Sequence, residues 1–401
     1  MKFQPRLCQT TQLDSIVVRF GGEIGIKSEW TRRFYEKKLL RNINNALMHY
    51  NLPCEETTLT RGRIYIKTKN CQESASKLTR LPGISSVSPA TQTSADMSQI
   101  VQVALDTVRA VIKEKGTFAV RCHRVGTHSY SSMDVCREAG KRILTDLKEL
   151  KLHVDLTHPE ITISIEVRDK EAYVFTETLQ GVGGFPVGSQ AKVIGLLSGG
   201  IDSPVACWLA IKRGCQLVPV YFENSPLTDE DTTAKALETA KKLFEWSIGF
   251  PRNMYIVPHG KNLEIFMEKA PRKLTCLLCK RMMYRVAEHI ADIEGAEGIV
   301  TGEAIGEQAS QTLTNLRVLD EAALKYPVHR PLLGFDKTET TELAKRIGTF
   351  EISTRKTRGC EAAPSKPSTQ ARLEVVKNAE EELDIEEMVS ATVKAAKIIV
   401  V

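Results

Sequence analysis

Aromatic residues are scarce in this sequence, at 6% of its 401 positions with three tryptophans. No run approaches 18 uninterrupted apolar residues, so no membrane-spanning helix is expected. The first ten residues carry Lys2 and Arg6 but no apolar core of signal-peptide length, and a cytosolic (cytoplasmic) chain is the expectation. Repeats and low-complexity tracts are missing as well. With 42% hydrophobic and 26% charged residues, the composition excludes a disordered chain, a collagen-like repeat and a disulfide mini-scaffold. The ten cysteines would be reduced in a cytosol, and only Cys276 and Cys279 have CxxC spacing. At about 150 residues per domain, the length predicts two to three domains.

What is present is unevenly charged. The net charge is +6, yet residues 1–150 hold 24 Lys and Arg against 14 Asp and Glu, while residues 190–401 hold 28 against 29. A positive first third points to a polyanion partner there or to a solvated basic surface.

Ser15 to Phe20 reads as a strand and residues 28–50 as a helix burying Phe34, Leu39, Ile43, Ala46 and Leu47. A half-buried strand over 63–68, a short helix after Cys71 and the turn Leu81-Pro82-Gly83 complete a small α+β unit. A second unit has helices over 96–115 and 135–150, a strand over 117–122, and two strands within 160–176 about Asp169-Lys170. The buried stripe of its first helix is Ile100, Val103, Ala104, Val108 and Val111. Residues 181–190 hold four glycines and a proline, the clearest domain boundary. Beyond it, strands at 192–197, 217–222, 254–257 and 298–301 alternate with helices near 204–212, 232–247, 276–294 and 338–347. That alternation predicts a parallel sheet covered on both faces. The last 30 residues read as helical, with Glu380-Glu381-Glu382 on a solvated face.

The strand ending at Leu196-Leu197 runs into Ser198-Gly199-Gly200-Ile201-Asp202-Ser203 and a helix at Pro204. The glycines admit an anion close to the backbone, Asp202 or Ser203 can cap the helix, and Pro204 suits its first position. The helix dipole then points at the loop, so an anion belongs there. No Lys follows the glycines, which excludes the GxxxxGK[ST] phosphate loop, and GxGxxG is absent too. SGGIDS after a strand instead resembles the pyrophosphate loop of the PP-loop ATPases, which cleave ATP between the α and β phosphates and transfer AMP to an oxygen.

Further strings extend the likeness. VRFGGEIGIKS (18–28), RVGTHSYSS (124–132), GLLSGGIDSPVA (195–206), KRMMYRVAE (280–288), TGEAIGEQASQTLTNL (301–316) and RPLLGFDKTE (330–339) resemble, in order, the tRNA 4-thiouridine synthetases, also called tRNA sulfurtransferases. The resemblance implies a multidomain α/β and α+β chain. It would have a ferredoxin-like domain over 1–74, a THUMP RNA-binding domain over 75–180, a linker over 181–190, and a PP-loop domain with a doubly wound parallel sheet over 191–401. It implies ATP-dependent sulfur transfer to uridine 8 of tRNA through an adenylated uracil, with AMP and pyrophosphate released. The family is also associated with sulfur transfer to the carrier protein of thiamine synthesis, and its members often form homodimers. By resemblance Leu196, Leu197, Ser198, Gly199, Gly200, Ser203, Tyr221, Phe222, Lys280, Gly302 and Gln311 form the ATP site. Asp202 would hold Mg²⁺ on the departing pyrophosphate, and Lys337 would neutralise phosphate charge.

Cys360 matches the family cysteine that relays sulfur, and no rhodanese domain is expected in a chain of this length. Cys276 and Cys279 depart from the common bacterial pattern. If Thr275 caps their helix, both lie in its first turn, where thiol pKa falls. A CxxC pair with Cys360 resembles the rhodanese-less members, in which three cysteines hold a [4Fe-4S] or [3Fe-4S] cluster with one open iron. A persulfide or disulfide pair and plain core packing beside Met283, Val286 and Ile290 remain open, and zinc would need a fourth ligand. The sulfur donor would be a cysteine desulfurase or sulfide. For RNA, the basic residues are Arg121, His123, Arg124, Lys141 and Arg142, with Lys27, Arg32, Arg33, Arg61 and Arg63 in the first unit. Rival readings are a 2-thiolation or carrier-sulfurating PP-loop enzyme, and an RNA-binding protein with a vestigial ATPase loop.

Overall fold

The computed structural model describes residues 13–60 and 62–401, so Arg61 lies outside the described residues. The chain forms two compact units that meet inside the glycine-rich stretch, the first ending at Gly184 and the second beginning at Phe185. Among the described residues no helix is long and apolar enough to cross a membrane.

The first unit contains strands β1 (Ser15–Phe20), β2 (Glu56–Thr60), β3 (Arg63–Lys67), β4 (Ile84–Ser94), β5 (Thr117–Val125), β6 (His153–Val154), β7 (Ile161–Arg168), β8 (Glu171–Phe175) and β9 (Leu179–Gln180). Its helices are α1 (Gly22–Gly25), α2 (Glu29–His49), α3 (Cys71–Leu78), α4 (Met97–Val111) and α5 (Ser132–Asp146). The sheet runs β2-β3-β1-β4-β8-β7-β5-β6, with β9 on β4. Strand β4 serves both halves: Ile84 to Ala90 pair with β1, and Thr91 to Ser94 pair with β8. Asp96 caps α4, and Ser131 with Asp134 forms a capping box on α5. These two helices bury Ile100, Ala104, Val108, Val135, Ala139 and Ile143 against Phe118, Val120, Ile163 and Ile165.

Two expected core residues are outside. Phe34 is 39% exposed and Val111 46%. Tyr35, next in the chain, is buried in its place, while Leu39, Ile43, Ala46 and Leu47 are buried as expected. Val111 is the last residue of α4, and it is Ile112, next in the chain, that enters the core shared with α5.

In the second unit the strands are β10 (Lys192–Leu197), β11 (Gln216–Glu223), β12 (Asn253–Pro258), β13 (Ala296–Val300), β14 (Val328–His329) and β15 (Lys397–Val400). The helices are α6 (Asp202–Lys212), α7 (Glu230–Phe244), α8 (Gly260–Lys269), α9 (Thr275–Glu294), α10 (Leu313–Asp320), α11 (Lys337–Ile347), α12 (Phe350–Ser353), α13 (Leu373–Glu381) and α14 (Ile385–Ala395). The order β14-β13-β10-β11-β12-β15 is parallel except for β15, which pairs antiparallel with β12. The end of the chain is therefore a strand, not the continuous helix expected. β10 divides the core by alternation. Ile194 and Leu196 face the cluster built with α9, whereas a Cβ on Gly195 would lie 2.7 Å from Cys207 Sγ of α6.

Glu380 overturns another expectation. It is buried at 8% exposure and accepts from Arg281 Nε (2.7 Å), Arg281 Nη2 (2.8 Å) and both terminal nitrogens of Arg285 (2.8 Å each). One residue of the acidic run thus clamps α13 onto α9, while Glu381 and Glu382 are exposed as expected.

Candidate active site

The loop from Ser198 to Ile201 leaves β10 at the C-terminal edge of the parallel sheet, where open α/β folds bind ligands. Ser198 N–H donates to Ser203 Oγ (2.8 Å), Gly200 N–H donates to Ser198 Oγ (3.2 Å), and the two hydroxyls lie 2.9 Å apart. Ser203 thus reaches back to brace the loop and does not cap the helix. Asp202 is the first helical residue and no side chain caps α6, which places Pro204 third, not first. The uncapped N-terminus keeps its dipole directed into the loop.

Gly302, just past β13, permits this arrangement. A Cβ there would sit 2.5 Å from Ser203 N and 2.7 Å from Asp202 C, both backbone atoms. The next residue, Glu303, was missed by sequence reasoning and organises the site's floor. It is buried, and it accepts from Lys280 Nζ (2.9 Å), Tyr284 Oη (2.6 Å), Thr301 Oγ1 (3.2 Å) and Arg330 Nε (2.8 Å). Burial alone would raise its carboxyl, but Lys280, Tyr284 and Arg330 outweigh that and push it down to about 2.

Lys337 is the first residue of α11, which starts one residue earlier than expected, and its ammonium reaches Asp202 Oδ1 (2.8 Å) and Oδ2 (3.1 Å) and also Glu307. Burial would lower this ammonium, and its bonds to Asp202 and Glu307 reverse that and hold it above the ordinary lysine value. A carboxylate beside an anion loop repels phosphate unless a cation bridges them. Here Lys337 supplies that charge, and the hard oxygen donor Asp202 also suits Mg²⁺.

Leu196 and Leu197 are buried at the end of β10, Leu197 pairs with Tyr221 of β11, and Phe222 follows it into the core. Gln311 is buried and its Oε1 has no hydrogen-bond partner among the described residues, a vacancy suited to a ligand donor such as an exocyclic amine.

Cys276, Cys279 and Cys360 are brought within electrostatic reach of one another. The α9 start does not lower their thiol pKa values as expected. Thr275 is itself helical and donates Oγ1–H to Arg272 O (2.9 Å), so it is no cap. Burial, reinforced by Cys360, raises the Cys276 thiol, and burial reinforced by Cys276 and Cys360 raises Cys279. A fully buried His259 stands against Cys279 Sγ at 3.3 Å, and Asn262 Nδ2 donates to its Nδ1 (3.2 Å), which leaves Nε2–H facing the sulfur. Burial pushes His259 down to about 4, so it is neutral. The soft donor set suits iron–sulfur chemistry. Among the described residues, however, no three His, Cys, Asp or Glu side chains converge closely enough to hold a metal as they stand.

The basic residues singled out for RNA do not share one face. Arg121 is exposed and alternates with Val120 and Cys122, which pack toward α4 and α5. Lys141 and Arg142 are exposed on α5 itself, and Arg142 Nε donates to Asp146 (2.8 Å). Arg124 Nη1 is occupied by Gly126 O (2.9 Å) and His128 Nδ1 (3.1 Å). Arg63 and Arg19 both bind buried Glu166, and Arg33 pairs with Glu29.

Comparison with known proteins places this architecture. Residues 188–385 match the thiamine biosynthesis protein (ThiI) family, residues 94–177 the THUMP domain, and residues 15–88 the ThiI ferredoxin-like domain. A probable tRNA sulfurtransferase of Methanosarcina mazei is 40% identical across 96% of this chain and 95% of its own length. That of Methanothermobacter thermautotrophicus is 39% identical across 94% and 95%. A crystal structure of a 4-thiouridine synthetase–RNA complex with bound ATP aligns with TM-score 0.87 at 32% identity, covering 97% of this chain and 100% of that one. PH1313 from Pyrococcus horikoshii aligns with TM-score 0.67 at 27% identity, covering 84% and 99%. The motifs and domain order, and the loop they build around Asp202, make this chain a member of the tRNA sulfurtransferase (ThiI) family.

Proposed function

We propose that the protein transfers sulfur to uridine 8 of tRNA at the expense of ATP, forming 4-thiouridine. The observation that carries this reading is the Lys337–Asp202 pair at the mouth of the Ser198–Ser203 loop. Uracil O4 is a poor leaving group. In the proposed sequence O4 attacks the α-phosphorus as the N3 proton passes to solvent, and the bond to pyrophosphate breaks. A sulfide-level sulfur then adds to C4, and AMP departs carrying the former O4. Lys337 neutralises charge on the departing pyrophosphate, and the uncapped α6 N-terminus holds its oxygens. Mg²⁺ held by Asp202 would supply Lewis-acid polarisation of the phosphates. Gln311, Leu196, Leu197, Tyr221 and Phe222 would line the adenosine, with Lys280 fixed by Glu303.

Cys276, Cys279 and Cys360 are the proposed sulfur-handling residues, with an iron–sulfur cluster as the first reading because all three donors are soft thiols. A persulfide on Cys360 is the second, and it would be loaded by a cysteine desulfurase, whose own persulfide sulfur is already at that oxidation level. The sulfur donor would be a cysteine desulfurase or sulfide. A role in thiamine synthesis and a homodimer belong to the same proposal, and the tRNA reaction would take place in the cytoplasm. Substituting Asp202→Ala is expected to abolish pyrophosphate release while leaving tRNA affinity within about twofold, since a carboxylate adds no attraction for RNA phosphates. Normal 4-thiouridine formation by that variant would sink the mechanism.

A further inference from the structure

We infer that Lys235 is a positioning residue for the sulfur-transfer step, fastening the segment that carries Cys360 to the phosphate loop. This rests on the function proposed above. Lys235 lies on α7 and is 6% exposed, yet its ammonium donates to two backbone carbonyls, Ser353 O (3.0 Å) and Arg355 O (2.9 Å). A buried ammonium held by neutral carbonyls is an expensive way to fill space, because a methionine of similar shape would pack there without desolvating a charge. Burial indeed draws its pKa below the ordinary lysine value, against the pull of Asp229.

The same stem lies against the phosphate loop: a Cβ on Gly199 would meet Lys235 Cε at 3.5 Å and Thr232 Cγ2 at 3.7 Å. Ser353 Oγ donates to Gly200 O (3.2 Å), closing a ring of contacts from loop to lysine to segment. Further on, Arg355 Nη2 donates to Glu238 of α7 (2.8 Å), Arg358 N–H to Asp229 Oδ2 (2.8 Å), and Glu361 N–H to Leu227 O (3.0 Å). Residues 353–361 therefore run tied along α7 from the phosphate loop, with Cys360 between the last two ties. The Lys235 tie sets where Cys360 stands relative to the base that is adenylated at the loop.

The test uses the full chain with ATP, tRNA and sodium sulfide, measuring pyrophosphate released and 4-thiouridine formed. Because a misplacement of about 1 Å costs up to about 100-fold, Lys235→Met is expected to lower 4-thiouridine by about tenfold or more. Pyrophosphate release should stay near the wild-type rate, as water returns the stranded adenylate to uracil and AMP. Lys235→Arg, which can still donate to both carbonyls, should restore the ratio. Parallel loss of both products, or no change in their ratio, overturns the inference. Ser353→Ala cuts the loop tie without touching the buried charge and should uncouple in the same direction if Lys235→Met does not fold. Alkylation of Cys360 read by mass spectrometry needs no turnover: Lys235→Met should speed it relative to Cys276, and equal relative rates overturn the inference. Wild-type protein that makes no 4-thiouridine would refute the proposed function and leave this alkylation result to decide the tie.

Discussion

Replacing Glu303 with glutamine isolates the charge at the centre of the active-site floor while keeping the side chain's shape. Its carboxyl is pushed from 4.5 to about 2 by Lys280, Tyr284 and Arg330. A shift of that size corresponds to roughly 3 kcal/mol of folded-state stabilisation. The sign follows from the depression: the contribution is complete above the unfolded carboxyl pKa and is lost as pH falls toward the folded one. Glu303→Gln should therefore be less stable by roughly 3 kcal/mol at pH 7, and the gap should shrink between pH 5 and pH 3. Urea unfolding followed by tryptophan fluorescence reads the correct unit, because Trp208 and Trp246 are buried there with ring centroids 5.5 Å apart, while Trp30 is 79% exposed in the other. For a unit of this size the melting temperature should fall by roughly 6–12 °C. A gap under about 1 kcal/mol at pH 7, or one that stays constant down to pH 3, would refute the reasoning, since a buried partnered carboxylate cannot be removed so cheaply.

Gly302→Ala should cost about 1–3 kcal/mol and raise the KM for ATP, because the new methyl meets backbone atoms of Asp202 and Ser203 that cannot swing aside. An unaltered KM would show that the loop has room the structure does not give it. Arg121→Ala and Arg124→Ala together should weaken tRNA binding and flatten its salt dependence. The exposed Arg121 alone should account for a change of about one in the slope. If Arg124→Ala, whose guanidinium is tied to Gly126 and His128, shifts the slope as much, the open sheet face is not the RNA surface. In metal-free protein Cys276 and Cys279 should alkylate slowly at pH 7 and faster as pH rises, with the exposed Cys54 as internal reference. A Cys279 as reactive as Cys54 at pH 7 would contradict its burial.

The parts of this protein legible in the sequence are those whose causes are local. Six consecutive residues after an apolar strand announce the phosphate loop, and the alternation of strands and helices announces the parallel sheet. The family resemblance of RPLLGFDKTE ties Lys337 to the phosphates, and in the fold it reaches Asp202 across 135 positions. What stayed hidden depends on pairing at a distance with no motif to signal it. Glu380 reads as solvated because its partners Arg281 and Arg285 lie 99 and 95 positions away. β15 reads as helix because only its pairing with Asn253 to Ile256 of β12 makes it a strand. Glu303 lies within TGEAIGEQASQTLTNL, but nothing local distinguishes a buried hub carboxylate from an exposed one.

The cysteines illustrate how burial overrides a sound local rule. A helix start lowers a thiol pKa when its free N–H groups and the sulfur share a polar setting. Here α9 starts directly from the 3-10 turn Arg272–Leu274, and its first turn is wedged among Leu274, Leu277 and Leu278, all buried. Desolvation then exceeds the dipole's contribution, and the mutual charge of three neighbouring sulfurs adds to it. The neutral thiols this produces are poor spontaneous nucleophiles, which protects them from oxidants as long as nothing cationic or electrophilic is delivered. His259 adds an N–H donor that favours a sulfur bearing more charge than a thiol does, whether as thiolate, persulfide or metal ligand. In the sulfur-handling role proposed above, the pocket would hold its sulfurs inactive until loading and then stabilise the charge that loading creates.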